Sequence, residues 1–191
     1  GVIDVGFATG VKDMLDFYDY WDRIMAKYRQ FIAKRQIVFY SHIRQFPKTY
    51  LLDQQNIHPG TIVGASKKEE HDEFDLELLK ILADDARMPV IEIASKLDAA
   101  PQTVRQHKKK LEEKGIIQGY RVKIDVSFLG YRYYKAFINL VDTSRLKELE
   151  GFCMQHPNIL NLNRTIGGSD FEIELQARDF NEFEDIMDAL R

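Results

Sequence analysis

Apolar residues recur at helical spacing in three consecutive stretches near the middle of the chain. Asp75-Leu76-Glu77-Leu78-Leu79-Lys80-Ile81-Leu82-Ala83 predicts a first helix, with acids in its first turn complementing the positive end of the helix dipole. Pro89 to Leu97 predicts a second, opened by a proline where a helix tolerates one and directing Ile93 and Leu97 inward. Asp98-Ala99-Ala100 makes a short turn. The run from Ala100 to Gly115 then predicts a third helix, in which Val104, Lys108 and Leu111 fall at i, i+4 and i+7. Val104 and Leu111 face a core, while Gln102, Thr103, Arg105, Gln106 and Lys109 look outward. Gly115 closes the helix, and Ile116 to Ile124 alternates in polarity as a strand does. Three helices followed by a wing-like strand describe a winged helix-turn-helix over residues 73–125.

Downstream the pattern changes to alternating strands and helices. Tyr131 to Val141 reads as a strand, Ser144 to Gln155 as a helix, and Ile159 to Ile166 as a second strand. Gly167-Gly168-Ser169 makes a tight turn. Asp170 to Ala177 alternates apolar and acidic residues, as a strand with one covered face would, and Phe180 to Leu190 reads as a helix. The fold class is therefore α+β, with a β-α-β-β-α unit over residues 130–191 that is ferredoxin-like but for its last strand.

The N-terminal stretch matches the C-terminal end at an offset of 166 positions. Gly1 meets Gly167, Asp4 meets Asp170, Asp13 meets Asp179, Phe17 meets Phe183, Asp19 meets Asp185 and Asp22 meets Asp188. Apolar classes agree at Phe7 with Ile173, Tyr20 with Ile186, Trp21 with Met187 and Ile24 with Leu190. The match predicts a duplicated half-unit over residues 1–52: a strand from Asp4, a helix to about Ala33, and a closing strand from Gln36 to Arg44. Residues 53–72, polar with Pro59-Gly60 and Lys67-Lys68, read as a solvated linker. A ferredoxin-like unit without its last strand leaves a strand edge unpaired. The strands at Asp4 and Gln36 are therefore expected to join a larger sheet, within this chain or with a second one.

Composition bounds the chemistry. The 191 residues are 45% hydrophobic and 30% charged, enough for two small domains. The net charge is −3, yet between Ala100 and Asp125 seven Lys or Arg residues face three acids, a local excess of four positive charges. That concentration makes Gln102, Thr103, Arg105, Gln106, Lys108, Lys109 and Arg121 candidate contacts to double-stranded DNA, their long donors suiting base edges and phosphates. No apolar run approaches the roughly 18 residues that span a bilayer, and no leader pattern opens the chain, so a cytoplasmic protein with no membrane partner is expected. Cys153 sits in an apolar helical setting and reads as a buried, inert thiol. The five histidines lie singly, without metal-ligand spacing, and neither a phosphate-binding glycine loop nor a nucleophile elbow occurs. Neither catalytic residues, metal nor cofactor are expected.

These residues bring residues 72–191 into resemblance with the Lrp/AsnC (feast/famine) transcriptional regulators. Asp75 to Leu82 resembles that family's opening helix, and Lys114-Gly115-Ile116-Ile117-Gln118-Gly119-Tyr120 its exit from the recognition helix. Phe128-Leu129-Gly130-Tyr131 resembles its approach to the first sensor strand, and Ile166-Gly167-Gly168-Ser169-Asp170-Phe171 its glycine turn. The resemblance implies a winged helix-turn-helix joined to a βαββαβ ligand-sensing and oligomerisation domain. It also implies a small-molecule effector, such as an amino acid, held near Gly167, Gly168 and Asp170. Residues 1–52 resemble the back half of an earlier copy, as in a fragment of a tandem-module member. The expected function is a sequence-specific DNA-binding regulator working as a homodimer or higher homo-oligomer. The alternative is a winged module that serves protein contacts in a transcription complex. An enzyme of the same architecture would need convergent His and Arg residues, and only His156 and Arg164 offer themselves; no enzyme is expected.

Overall fold

The computed structural model describes residues 4–52, 60–64 and 67–191. They fall into two bodies, one to Ile37 and one from Val38 onward. In the first body, helix α1 (Met14–Tyr28) starts where the Asp13 carboxylate accepts hydrogen bonds from the Leu15 and Asp16 amides at 2.8 and 3.0 Å. Asp179, its counterpart at the 166-residue offset, caps the last helix by accepting from the Glu182 amide at 2.9 Å. The offset thus pairs residues that do the same work. Two expectations for this body need correction. Residues 4–11 contain no strand, because extended chain becomes a strand only when a neighbour satisfies its amides, and no described residue of the body does so. The helix also stops at Tyr28, five residues short of Ala33, and passes into a single 3-10 turn, Arg29–Phe31.

In the second body the elements run β1 (Phe39–Gln45), β2 (Thr61–Val63), α2 (Glu73–Asp84), α3 (Val90–Lys96), α4 (Pro101–Glu113), β3 (Arg132–Ile138), α5 (Leu146–Gln155), β4 (Ile159–Ile166), β5 (Phe171–Ala177) and α6 (Phe180–Leu190). The five strands form one antiparallel sheet in the order β2-β1-β4-β5-β3. The strand expected from Gln36 exists as β1 and does join the sheet of the C-terminal unit. It pairs with β4, and it belongs with the second body, not with a half-unit ending at residue 52. The presumed linker contributes β2, paired to β1 from Ile43–Val63 to Gln45–Thr61; residues 53–59, 65 and 66 lie outside the described residues.

Alternation along β5 explains the sheet's two faces. Phe171, Ile173, Leu175 and Ala177 are buried against α5 and α6, together with Leu149, Cys153, Ile159, Leu162, Ile186 and Phe46. Burial pushes the Cys153 thiol up to about 12, which makes it the inert group expected. The intervening Glu172 and Gln176 are also buried, against the expectation of one exposed polar face. Their partners come from elsewhere in the chain. Glu172 accepts from Tyr40 at 2.7 Å and pairs with Lys135 at 2.6 Å, and Gln176 accepts from the hydroxyl of Tyr50 in the 3-10 turn Thr49–Leu52. Tyr40 and Tyr50 therefore complete the polar groups buried along β5.

The three helices before β3 have a core of their own, built from Leu78, Leu82, Ile93, Ala94, Val104 and Leu111. Asp98 adopts the left-handed conformation at φ 47° between α3 and α4, and the Ala99 amide reaches back to the Ala94 carbonyl at 3.0 Å. This closes α3 and turns the chain into α4, where Pro101 occupies the first turn. Gly115, at φ 69°, ends α4 as expected, and the Ile116 and Ile117 amides both bond the Leu111 carbonyl. No wing strand follows: residues 116–124 pair with no other described strand, and Val122 is exposed. Alternating polarity alone does not form a strand without a ladder to join.

Two outcomes test this fold. Phe46→Ala should destabilise the protein by about 3–5 kcal/mol in urea unfolding, the cost of emptying a fully packed aromatic site; an unchanged midpoint would remove this segment from the sensor core. The second concerns the buried Asp75. Burial pushes its carboxyl up, but hydrogen bonds from His107 and Lys110, the Asp72 amide and the Lys110 charge outweigh it and hold the group at about 2, below its ordinary 3.8. A depressed carboxylate stabilises fully above its unfolded pKa and loses that contribution as pH falls through its folded value. The difference in melting temperature between wild type and Asp75→Asn should therefore be largest near neutrality and shrink between about pH 5 and pH 2.

Candidate nucleic-acid interface

Helix α4 has three sides, and burial assigns each one. Val104 and Leu111 are fully buried and anchor the helix on α2 and α3. Thr103, His107, Lys110 and Lys114 follow at i, i+4, i+7 and i+11 on a second, half-buried side. Gln102, Arg105, Gln106 and Lys109 occupy the third side and are exposed. Four of the five residues expected to look outward are exposed; Thr103, on the second side, is half-buried.

That second side is held by ions. The His107 Nδ1–H donates to Asp75 Oδ1 at 2.7 Å, Lys110 Nζ lies 3.1 Å from Asp75 Oδ2, and Asp75 is fully buried. Asp75 and Asp72 also form a reciprocal cap at the start of α2, each amide donating to the other's carboxylate. Farther along, Lys114 Nζ donates to the Glu70 carbonyl at 2.7 Å. Asp72, Asp75 and His107 bring three potential ligand atoms within 4.8 Å of one another, but Lys110 already compensates the buried carboxylate there. The spacing is that of an internal ion cluster.

Lys108, expected at the interface, leans the other way. Its ammonium lies 5.1 Å from the centre of the Tyr120 ring, and the Tyr120 hydroxyl donates to Glu112 at 3.0 Å. Burial and that carboxylate push the Tyr120 hydroxyl up to about 12. Arg121 is exposed on the segment after α4, alongside exposed Lys123. Ala100 precedes α4 with no side-chain cap and Pro101 has no amide to donate, while the Thr103 and Val104 amides bond the Ala100 carbonyl at 3.0 and 3.3 Å, so of the first turn the Gln102 amide is left facing outward.

The expected effector residues lie at the opposite end of the chain, in the turn between β4 and β5. Gly167 takes φ 96°, and Gly167 and Gly168 are exposed. The Asp170 carboxylate accepts from the Leu140 amide at 2.8 Å, while its own amide donates to Ile138. Asp170 thus ties β3 to the turn. His156 precedes β4 and Arg164 lies near the far end of that strand, so the two do not converge. Sequence reasoning missed Asp75 and Tyr120. The available signal for Asp75 was His107, a polar residue three positions past Val104 toward the core stripe, where a buried partner is required. No helix among the described residues is long and apolar enough to cross a membrane.

Comparison with known proteins agrees with this geometry. Residues 71–118 match the family model for a winged helix-turn-helix DNA-binding domain. The HTH-type transcriptional regulator LrpA of Pyrococcus horikoshii is 37% identical over 118 residues, covering 61% of this chain and 82% of that protein. The leucine-responsive regulatory protein of Rhizobium meliloti is 27% identical over 121 residues, covering 62% and 78%. Among solved structures, AsnC of E. coli superposes with a TM-score of 0.55 at 20% identity over 62% of this chain and 80% of its own. LrpC of B. subtilis gives 0.53 at 25% identity over 63% and 86%. The α+β architecture, the helix-turn-helix and the extent of relatedness to LrpA agree, and the chain belongs to the Lrp/AsnC family of HTH-type transcriptional regulators.

Proposed function

We propose that this chain is a sequence-specific DNA-binding transcriptional regulator whose reading surface is the exposed side of α4. The observation that carries the reading is the stripe of Gln102, Arg105, Gln106 and Lys109 running from the uncapped start of a helix whose other two sides are committed. Glutamine and arginine present paired donors or donor and acceptor sets that match adenine and guanine edges in the major groove. Arg105, Lys109, Arg121 and Lys123 supply positive charge toward the phosphates, and Lys108 is oriented by Tyr120 at the margin. Membership among HTH-type regulators supports the same reading.

One helix of this size reads only a few base pairs, so useful specificity calls for two copies spaced about one helical turn apart. The regulator is therefore assigned a homo-oligomeric working state. A small-molecule effector is assigned to the sensor unit at the exposed Gly167–Gly168 turn beside Asp170, with support from the Rhizobium meliloti relative, which is named for its response to leucine. Such a ligand regulates only as far as it prefers one assembly to another.

Two experiments test the reading surface. Replacing Arg105 and Lys109 together by Ala should weaken binding alike on all duplexes and reduce the slope of log K against log salt by about one unit per lost phosphate contact. An unchanged slope would take both residues off the phosphates. Gln102→Ala and Gln106→Ala should instead change preference at particular positions of a randomised duplex library by about 1–3 kcal/mol. Uniform loss across the library would contradict base reading, and wild-type protein with no salt-dependent DNA binding would favour the protein-contact module.

A further inference from the structure

The half-buried side of α4 carries three nitrogen donors that turn toward the same segment of the chain. His107, Lys110 and Lys114 all point back to the segment that opens α2: His107 and Lys110 to Asp75, Lys110 also to Asp72 at 4.0 Å, and Lys114 to Glu70 and, at 4.0 Å, to Glu69. The Phe74 ring lies 4.5 Å from the His107 ring and closes the contact from the side. Asp75 is the centre of the arrangement, since its side chain is wholly buried and its two oxygens receive one donor each from α4. A buried carboxylate with fixed partners holds those partners in one geometry, because any rotation of α4 leaves an uncompensated charge behind.

We infer that Asp75 is a positioning residue for DNA reading: through His107 and Lys110 it sets the rotation of α4 about its own axis, and it divides the basic residues of that helix into scaffold-facing and DNA-facing sets. The inference rests on the DNA-binding role proposed above. It gives Asp75 no contact with DNA. It makes Lys110 and Lys114, two of the most prominent charges of the basic run, parts of the scaffold, so that they contribute nothing to phosphate binding. Base reading is sensitive to such a device because side chains must meet base edges within a fraction of an ångström, whereas phosphate contacts tolerate small rotations.

The test uses the full chain with a duplex selected from a randomised library and a random duplex of equal length. Asp75→Asn removes the charge at constant shape, and Lys110→Met keeps the aliphatic stem and the Asp75–His107 contact while removing one half of the pair. Both are assayed at a temperature where circular dichroism shows complete folding. Each should weaken binding to the selected duplex by about tenfold, the size of one lost base contact, leave binding to the random duplex nearly unchanged, and leave the salt slope of wild type intact. Should Asp75→Asn fail to fold, Lys110→Met decides alone. A lower salt slope in Lys110→Met would make Lys110 a phosphate ligand and overturn the division of the helix. Selected-site binding equal to wild type in the folded variants would reduce Asp75 to a stabilising ion pair and also overturn the inference. Wild-type protein that binds neither duplex would overturn the DNA-binding role itself, and this result is told apart from the others because it appears before any substitution is made.

Discussion

Burying a carboxylate is costly unless its charge is compensated in place, and Asp75 is compensated by His107 and Lys110 of α4 together with the Asp72 amide. That single requirement organises the DNA-binding unit. With Val104 and Leu111 anchored in the apolar core, the helix can still rotate by a few degrees at little cost, since apolar contacts are non-directional. Hydrogen-bonded ions are directional, and they remove that freedom. The exposed side of α4 is thus what remains after packing and ion pairing have claimed the other two.

The sensor sheet meets the same requirement with residues from far away in the chain. Glu172 on β5 is buried beneath Lys135 of β3 and Tyr40 of β1, and Lys135 also approaches Glu174 at 3.6 Å. Burial tends to lower the Lys135 pKa, but Glu172 and Tyr40 outweigh it and the ammonium is held above its ordinary value. The tyrosine that completes the Lys135–Glu172 pair arrives on a strand separated from Glu172 by 132 positions. This explains why β1 sits on the β4 edge and how residues before the DNA-binding unit become part of a domain that follows it. Phe46 does on the helix side of the sheet what Tyr40 and Tyr50 do on the other.

Much of this was legible in the amino-acid order because it depends on local periodicity. Val104 and Leu111, the Pro101 start and the Gly115 stop of α4, and the apolar face of β5 all follow from spacing and residue type within one element. What was not legible depends on pairing at a distance. Ile116 to Ile124 has a strand's alternation but no ladder to join, and residues from Asp4 onward repeat the pattern of a strand without a neighbouring one. Conversely Thr61–Val63 became a strand inside a polar stretch because β1 offered it an edge. Thr103 is half-buried where an outward position was expected, and burial of that kind comes from tertiary packing that helical spacing does not contain.

The two cores of the second body share few apolar residues, yet the chain between them is tied at defined points. Gln118, just past α4, donates to the Ile62 carbonyl at 3.0 Å, and Ile62 lies on β2, which pairs through β1 to β4 of the sensor sheet. Lys114, at the end of the same helix, holds Glu70 in the stretch that leads from β2 into α2. The exit of the reading helix and the entry to the DNA-binding unit are thus both fastened to the segment that leaves the sensor sheet. Each fastening is one hydrogen bond in a solvent-exposed setting, contributing on the order of 1 kcal/mol. Ties of that size favour one arrangement without locking it, and a preference of a few kcal/mol between assemblies is the scale on which a ligand can act.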